Sequence, residues 1–114
     1  MRLEIRTEGV EFVVSRTPEP KNDGDGRQKA DRSTGELLYV TELVAMDDAG
    51  AEVIKVTTAG APKVTRRQLV QVATLVAVPW TIDGRGGVTF RAESVLPSGA
   101  PAKHGTGPVS GAAA

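Results

Sequence analysis

The sequence predicts an all-β protein folded as one small domain. Three observations carry that expectation. Its apolar stretches are short and rich in β-branched residues. They keep a period of two where a helix needs a longer one, and turn signals such as DDAG at 47–50 and DGRGG at 83–87 separate them. At 114 residues the chain suits one domain, large enough to bury roughly two-thirds of its unfolded surface without metal or crosslinks.

Taken in order, Val10–Arg16 (VEFVVSR) is β-branched and aromatic and reads as the first strand, preceded by the alternating Leu3–Arg6 (LEIR). Residues 17–34, TPEPKNDGDGRQKADRST, are polar and rich in Gly, Pro and Asp, and read as a flexible loop. Glu36–Met46 (ELLYVTELVAM) is apolar at most positions, as for a strand covered on both faces over part of its length. Asp47–Gly50 makes a hairpin to Glu52–Thr58 (EVIKVTT).

The segment 60–68, GAPKVTRRQ, is too short and too broken by Pro62 for a long helix, though a single turn fits. Leu69–Trp80 (LVQVATLVAVPW) is the longest apolar run; Val70, Val72, Val76 and Val78 keep strand parity. The 83–87 turn joins it to Gly87–Leu96 (GVTFRAESVL). Residues 98–114 are small and Pro/Gly-rich and read as a disordered tail, leaving 1–97 as the domain. Phe12 and Phe90 alternate with polar neighbours and are expected in the core.

Five strands, a long first loop, a hairpin, a short crossing and a final hairpin describe a small barrel. The order fits the five-stranded OB-fold, whose second and third strands and first and last hairpin loops form its usual binding face. An SH3-like barrel has similar spacing.

Composition narrows the function. Fourteen basic residues balance fourteen acidic ones, so any nucleic-acid surface must be gathered by folding. The absence of cysteine excludes disulfides and thiolate metal sites. A charged start, MRLEIRTEG, and no apolar run approaching the ~20 residues of a bilayer span lead to the expectation of a soluble cytoplasmic protein with no membrane partner. The one histidine, His104, falls in the tail, away from any acid–base or metal constellation. Asp47–Asp48 reads as a turn, and Asp23-Gly-Asp-Gly lacks the spacing and terminal glutamate of a calcium loop. No catalytic residue, metal or cofactor is expected.

Two resemblances bear on this reading. TGELLYVTELVAMDDAGAEVIKVT, together with LVAVPWTIDGRGGVTFRAESVLP, resembles small regulatory or replication-activator proteins of actinomycete integrating conjugative plasmids. The resemblance implies a role in replication, transfer or regulation of a mobile element, with proteins of that machinery as partners. More distantly, the layout is similar to gene V-type single-stranded-DNA-binding proteins of filamentous phages. That likeness implies an OB-fold homodimer in which Tyr39 stacks a base, Arg16 and the loop cations Lys21, Arg27, Lys29 and Arg32 meet phosphate, and Arg85 sits on a protruding finger.

The residues themselves add to this set. Lys55 and Arg91 lie on strands, where a cation is held in place, and Arg85 is flanked by glycines that let the backbone approach a ligand. Lys63, Arg66 and Arg67 form an acid-free cationic cluster suited to phosphate or to an acidic partner. Trp80 reads as a cap on the barrel end or a dimer contact. The leading expectation is a non-enzymatic protein that binds single-stranded DNA, or RNA, with little base specificity. Its rival is a protein-interaction module that does not touch DNA.

Overall fold

The computed structural model describes residues 2–98. They form one curled sheet of eight strands in the order β1-β6-β7-β4-β3-β2-β5-β8, without a helix among the described residues. The strands are β1 (Leu3–Glu4), β2 (Glu11–Pro20), β3 (Leu38–Asp47), β4 (Gly50–Ala59), β5 (Leu69–Ala73), β6 (Val76–Ile82), β7 (Arg85–Arg91) and β8 (Ser94–Pro97). All neighbours are antiparallel except β4 and β7. The expected all-β class and both hairpins are present, but the five expected strands become eight.

The two longest runs break where the backbone must change partner. Leu69–Trp80 divides at Thr74, whose φ of 55° ends the ladder. The following Leu75 is buried, and its carbonyl accepts from the Ile5 N–H at 2.8 Å. Gly87–Leu96 divides at Ala92–Glu93. There the Ala92 N–H donates to the Thr57 carbonyl on β4, and the Glu93 N–H donates to the Ala73 carbonyl on β5. One continuous segment therefore touches both ends of the central β4-β3-β2-β5 sheet, which is why the sheet curls.

Hairpin chemistry sets the registers. Asp47 pairs with Gly50, and the Asp47 carboxylate accepts from the Ala49 N–H at 2.8 Å, so β3 and β4 run in unbroken register from Leu38↔Ala59 to that turn. At the second hairpin Asp83 and Gly84 both have positive φ, 53° and 79°, as a two-residue type I′ turn needs. Arg85 is consequently the first residue of β7, opposite Ile82, rather than part of a loop tip.

Residues 17–34, expected to form a flexible loop, are organised by hydrogen bonds. β2 continues through Thr17–Pro20, with register shifts between Val14 and Arg16 and between Arg16 and Glu19. Pro18 has no N–H to give the ladder and lies within the second shift, where a bulge tolerates it. Beyond β2 the chain turns back on itself through the bridges Asn22↔Gln28 and Ala30↔Leu37. The Asp23 carboxylate accepts the N–H groups of Asp25 and Arg27, and that of Asp31 accepts those of Ser33 and Thr34. Polar side chains supply the bonds that an apolar core cannot supply here.

The core is Phe12, Val14, Leu43, Val56, Val64, Val70, Val72, Leu75 and Val95, with Phe90 packed against it. Val64 comes from the 60–68 crossing, which forms no helical turn. Thr41 is fully buried among these residues, and its hydroxyl has no hydrogen-bond partner. Of the expected tail, Ser98 donates its N–H to Leu69; the rest lies outside the described residues.

Candidate functional site

Pairing register decides which cations share a face. Residues directly opposite in a ladder point to the same side, and the side alternates along each strand. Thr41↔Val56 and Val14↔Leu43 define the core side. The rows Arg16–Glu42–Lys55 and Glu19–Val40–Thr57–Arg91 therefore lie on the outer side of β2, β3, β4 and β7. Tyr39 pairs with Thr58 and shares the parity of Thr41, so it is on the opposite side from Lys55 and Arg91. A strand lying on the outer face cannot stack on it.

The 21–37 excursion folds back over this outer face. Its anchors are the Lys21 N–H to the Leu38 carbonyl and the Leu38 N–H to the Lys29 carbonyl, both 2.9 Å. Lys21 and Lys29 are joined directly, the Lys29 N–H donating to the Lys21 carbonyl at 2.7 Å. Asp31 reaches Arg91 at 3.4 Å, so the excursion also grips β7. Partial burial, then the charges of Lys29 and Arg91, hold the Lys21 ammonium below the ordinary lysine pKa. Three cations from distant parts of the sequence thus meet in one place, with Asp31 as a nearby carboxylate.

Asp31 itself is held below the usual aspartate pKa. The Ser33 hydroxyl is the largest cause, followed by the Ser33 and Thr34 amides, with Arg91 adding a smaller pull. A carboxylate fixed this way stays ionised and keeps its place in the excursion.

Of the remaining expected residues, Arg16 shares the outer face and the others disperse. Arg16 pairs with Glu19 at 3.3 Å, and both side chains are largely exposed, so the pair is worth little. Glu42, between Arg16 and Lys55 in the row, accepts from the Ser15 hydroxyl at 2.9 Å. Arg27 and Arg32 are exposed on the bends of the excursion. Arg85 is exposed at the far end of β7, about 20 Å from Arg91 at the ordinary strand rise. Among the described residues no group of three or more His, Asp or Glu is arranged to hold a metal ion.

Two features lie outside the expected set of site residues. Past Val76–Ala77, which β1 covers, and Phe90–Arg91, which β4 covers, the β6–β7 hairpin stands alone as a two-stranded ribbon. It carries exposed Trp80, Ile82 and Val88. The role of Asp31 as both loop cap and Arg91 partner was also hidden, because it requires contact across sixty positions of sequence. Comparison with protein-family models, curated proteins and solved structures finds no match to this chain.

Proposed function

We propose that this protein binds single-stranded nucleic acid, without catalysis, through phosphate contacts from Lys21, Lys29, Lys55 and Arg91. The observation that carries the reading is geometric: the Lys29 N–H bonds to the Lys21 carbonyl and Asp31 ties the same excursion to Arg91, so three cations share one region, where burial first and then the two neighbouring charges lower the Lys21 pKa. Such crowding costs stability in the free protein, and an anion placed among the three groups relieves it. Lys55 extends the positive surface along the same face. Tyr39 lies on the other side, and Trp80, which shares the parity of Arg91, sits out on the β6–β7 ribbon over Gly87, so affinity is chiefly electrostatic, steep in salt and weakly dependent on base sequence.

The finer fold assignment belongs with this reading. The parallel β4–β7 pairing and the antiparallel β2–β5 pairing support reading β2, β3, β4, β5 and the β7–β8 segment as an OB-like barrel. On that view the 21–37 excursion is the first hairpin loop of the binding face, and the β6–β7 ribbon is inserted before the last strand. The motif resemblance supports action in replication, transfer or regulation of a mobile element.

Fluorescence anisotropy of a labelled oligonucleotide across a salt series tests the proposal. These four contacts contribute about −2.8 to the log–log slope, and any further phosphate contact steepens it. A folded sample that binds nothing at low salt refutes it. The rival interaction module draws on one specific observation, the apolar β6–β7 ribbon, which offers Trp80, Ile82 and Val88 to a protein partner or a second copy. A stoichiometric partner protein captured regardless of nuclease and lost on Ile82→Lys favours that reading.

A further inference from the structure

The outer-face cations each have a carboxylate nearby: Glu19 for Arg16, Asp31 for Arg91, and Glu42 opposite Lys55. Lys63, Arg66 and Arg67 do not. All three are exposed, none makes an ion pair among the described residues, and no acidic residue occurs between Glu52 and Asp83. No acidic residue lies within ten positions of any of the three in sequence.

Their position is fixed rather than left to a loose loop. Val64 is buried in the core and anchors the segment from within. The Thr65 N–H donates to the Gln68 side-chain oxygen at 2.9 Å, and the Gln68 N–H donates back to the Thr65 carbonyl at 3.2 Å. This closed turn is bonded to β2: the Arg67 N–H donates to the Val14 carbonyl at 2.7 Å, and the Val14 N–H donates to the Gln68 carbonyl at 2.9 Å. Arg67 is thereby held beside Val14, two residues before Arg16 in β2, with Arg66 next to it in the chain. Arg67 keeps a φ of 75°, a conformation glycine adopts freely and arginine does not. An arginine side chain is carried there in spite of the backbone strain.

We infer that Lys63, Arg66 and Arg67 continue the phosphate track of the proposed nucleic-acid site, so that a single strand crosses the sheet from Arg66–Arg67 past Arg16 and Lys55 to Arg91. This rests on the nucleic-acid reading above and adds its second end. From β2 to β7 the track crosses three inter-strand gaps, about 14 Å, and a polyanion with regularly repeated charge suits that run. The favourable end for a first phosphate is the uncompensated one at Arg66–Arg67, and the far end is the Lys21–Lys29–Arg91 cluster.

The test compares wild type, Arg66→Glu and the double variant Arg66→Ala/Arg67→Ala in salt-series titrations with labelled oligothymidylates of about four and about twelve nucleotides, lengths within the range for one such domain. Arg66 has an ordinary backbone, so its reversal leaves the strained position intact, and a thermal melt verifies folding of each variant. The double variant should flatten the salt slope on the longer oligonucleotide by about 1.4, two contacts' worth. Arg66→Glu should weaken binding roughly tenfold at low salt on the longer strand and much less on the shorter. Wild-type binding with an unchanged slope in both folded variants overturns the inference and leaves the proposed function standing. No wild-type binding at low salt overturns both. Loss of binding to a polyglutamate peptide on Arg66→Glu, with oligonucleotide affinity unchanged, overturns the assignment of this end to nucleic acid.

Discussion

Trp80 and Gly87 face each other directly across the β6–β7 ribbon, and the indole covers the space in which a side chain at 87 would begin. A Cβ on Gly87 would lie 2.5 Å from Cζ2 and 2.8 Å from Cε2 of the ring. An aromatic ring over a strand glycine covers backbone that would otherwise be open to water, and it compensates for a residue that weakens strands. This pair gives an isolated two-stranded ribbon some order of its own.

Gly87→Ala should displace the indole from the ribbon. Overpacking of this kind costs about 1 kcal/mol or more. Tryptophan emission should shift to the red, and the melting temperature should fall by roughly 4–8 °C for each kcal/mol lost. Unchanged emission would mean that the ring does not rest on Gly87.

Thr41→Val should stabilise the protein. The hydroxyl is buried without a partner, and valine keeps the shape of the side chain while removing the unmet polar group. The expected gain is about 1 kcal/mol in a urea titration, with an unchanged slope on denaturant.

Thr74→Gly should also stabilise. Threonine at a φ of 55° is strained because its β-carbon is branched, while glycine adopts that geometry freely. The relief exceeds the greater freedom glycine gives the unfolded chain, leaving a net gain of about 0.5 kcal/mol. Equilibrium unfolding of the pair of proteins measures it.

Asp31→Asn separates acid stability from binding. The folded pKa of Asp31 lies below its unfolded value, so its contribution is present above about pH 4 and is lost as pH falls through the folded pKa. Wild type should therefore lose stability in acid over a window in which the variant is flatter. The same change frees Arg91 from a competing carboxylate and should tighten oligonucleotide binding several-fold at low salt.

Lys21→Met should trade binding for stability. A lysine whose folded pKa is depressed opposes folding at neutral pH, and that penalty is relieved as pH rises through the folded pKa toward the unfolded one. The stability advantage of the variant should shrink in alkaline buffer. At neutral pH it should bind oligonucleotide more weakly, with a salt slope flatter by about 0.7.

Much of the fold was legible where local chemistry decides it. DDAG and DGRGG marked both hairpins, because Asp and Gly supply the turn conformations. The breaks at Thr74 and Ala92–Glu93 were hidden, since nothing in LVQVATLVAVPW or GVTFRAESVL shows that successive halves pair with different strands. The polar segment 17–34 looked unable to pack because the usual sign of order is an apolar residue, and here aspartates tie the chain to itself. The face occupied by Tyr39 was readable in principle. A loop closed by Asp47↔Gly50 forces Glu42↔Lys55 and Tyr39↔Thr58, which sends the tyrosine and the lysine to opposite sides.

The segment that leaves Thr57 at Ala92 and joins Ala73 at Glu93 carries Val95 into the centre of the molecule, where it is 2% exposed. Synthesis must consequently pass Val95 before the hydrophobic interior can be sealed. Closing such distant pairings early is entropically costly, which places this small domain among slow, high-contact-order folders and leaves its nascent chain exposed meanwhile to association with other chains.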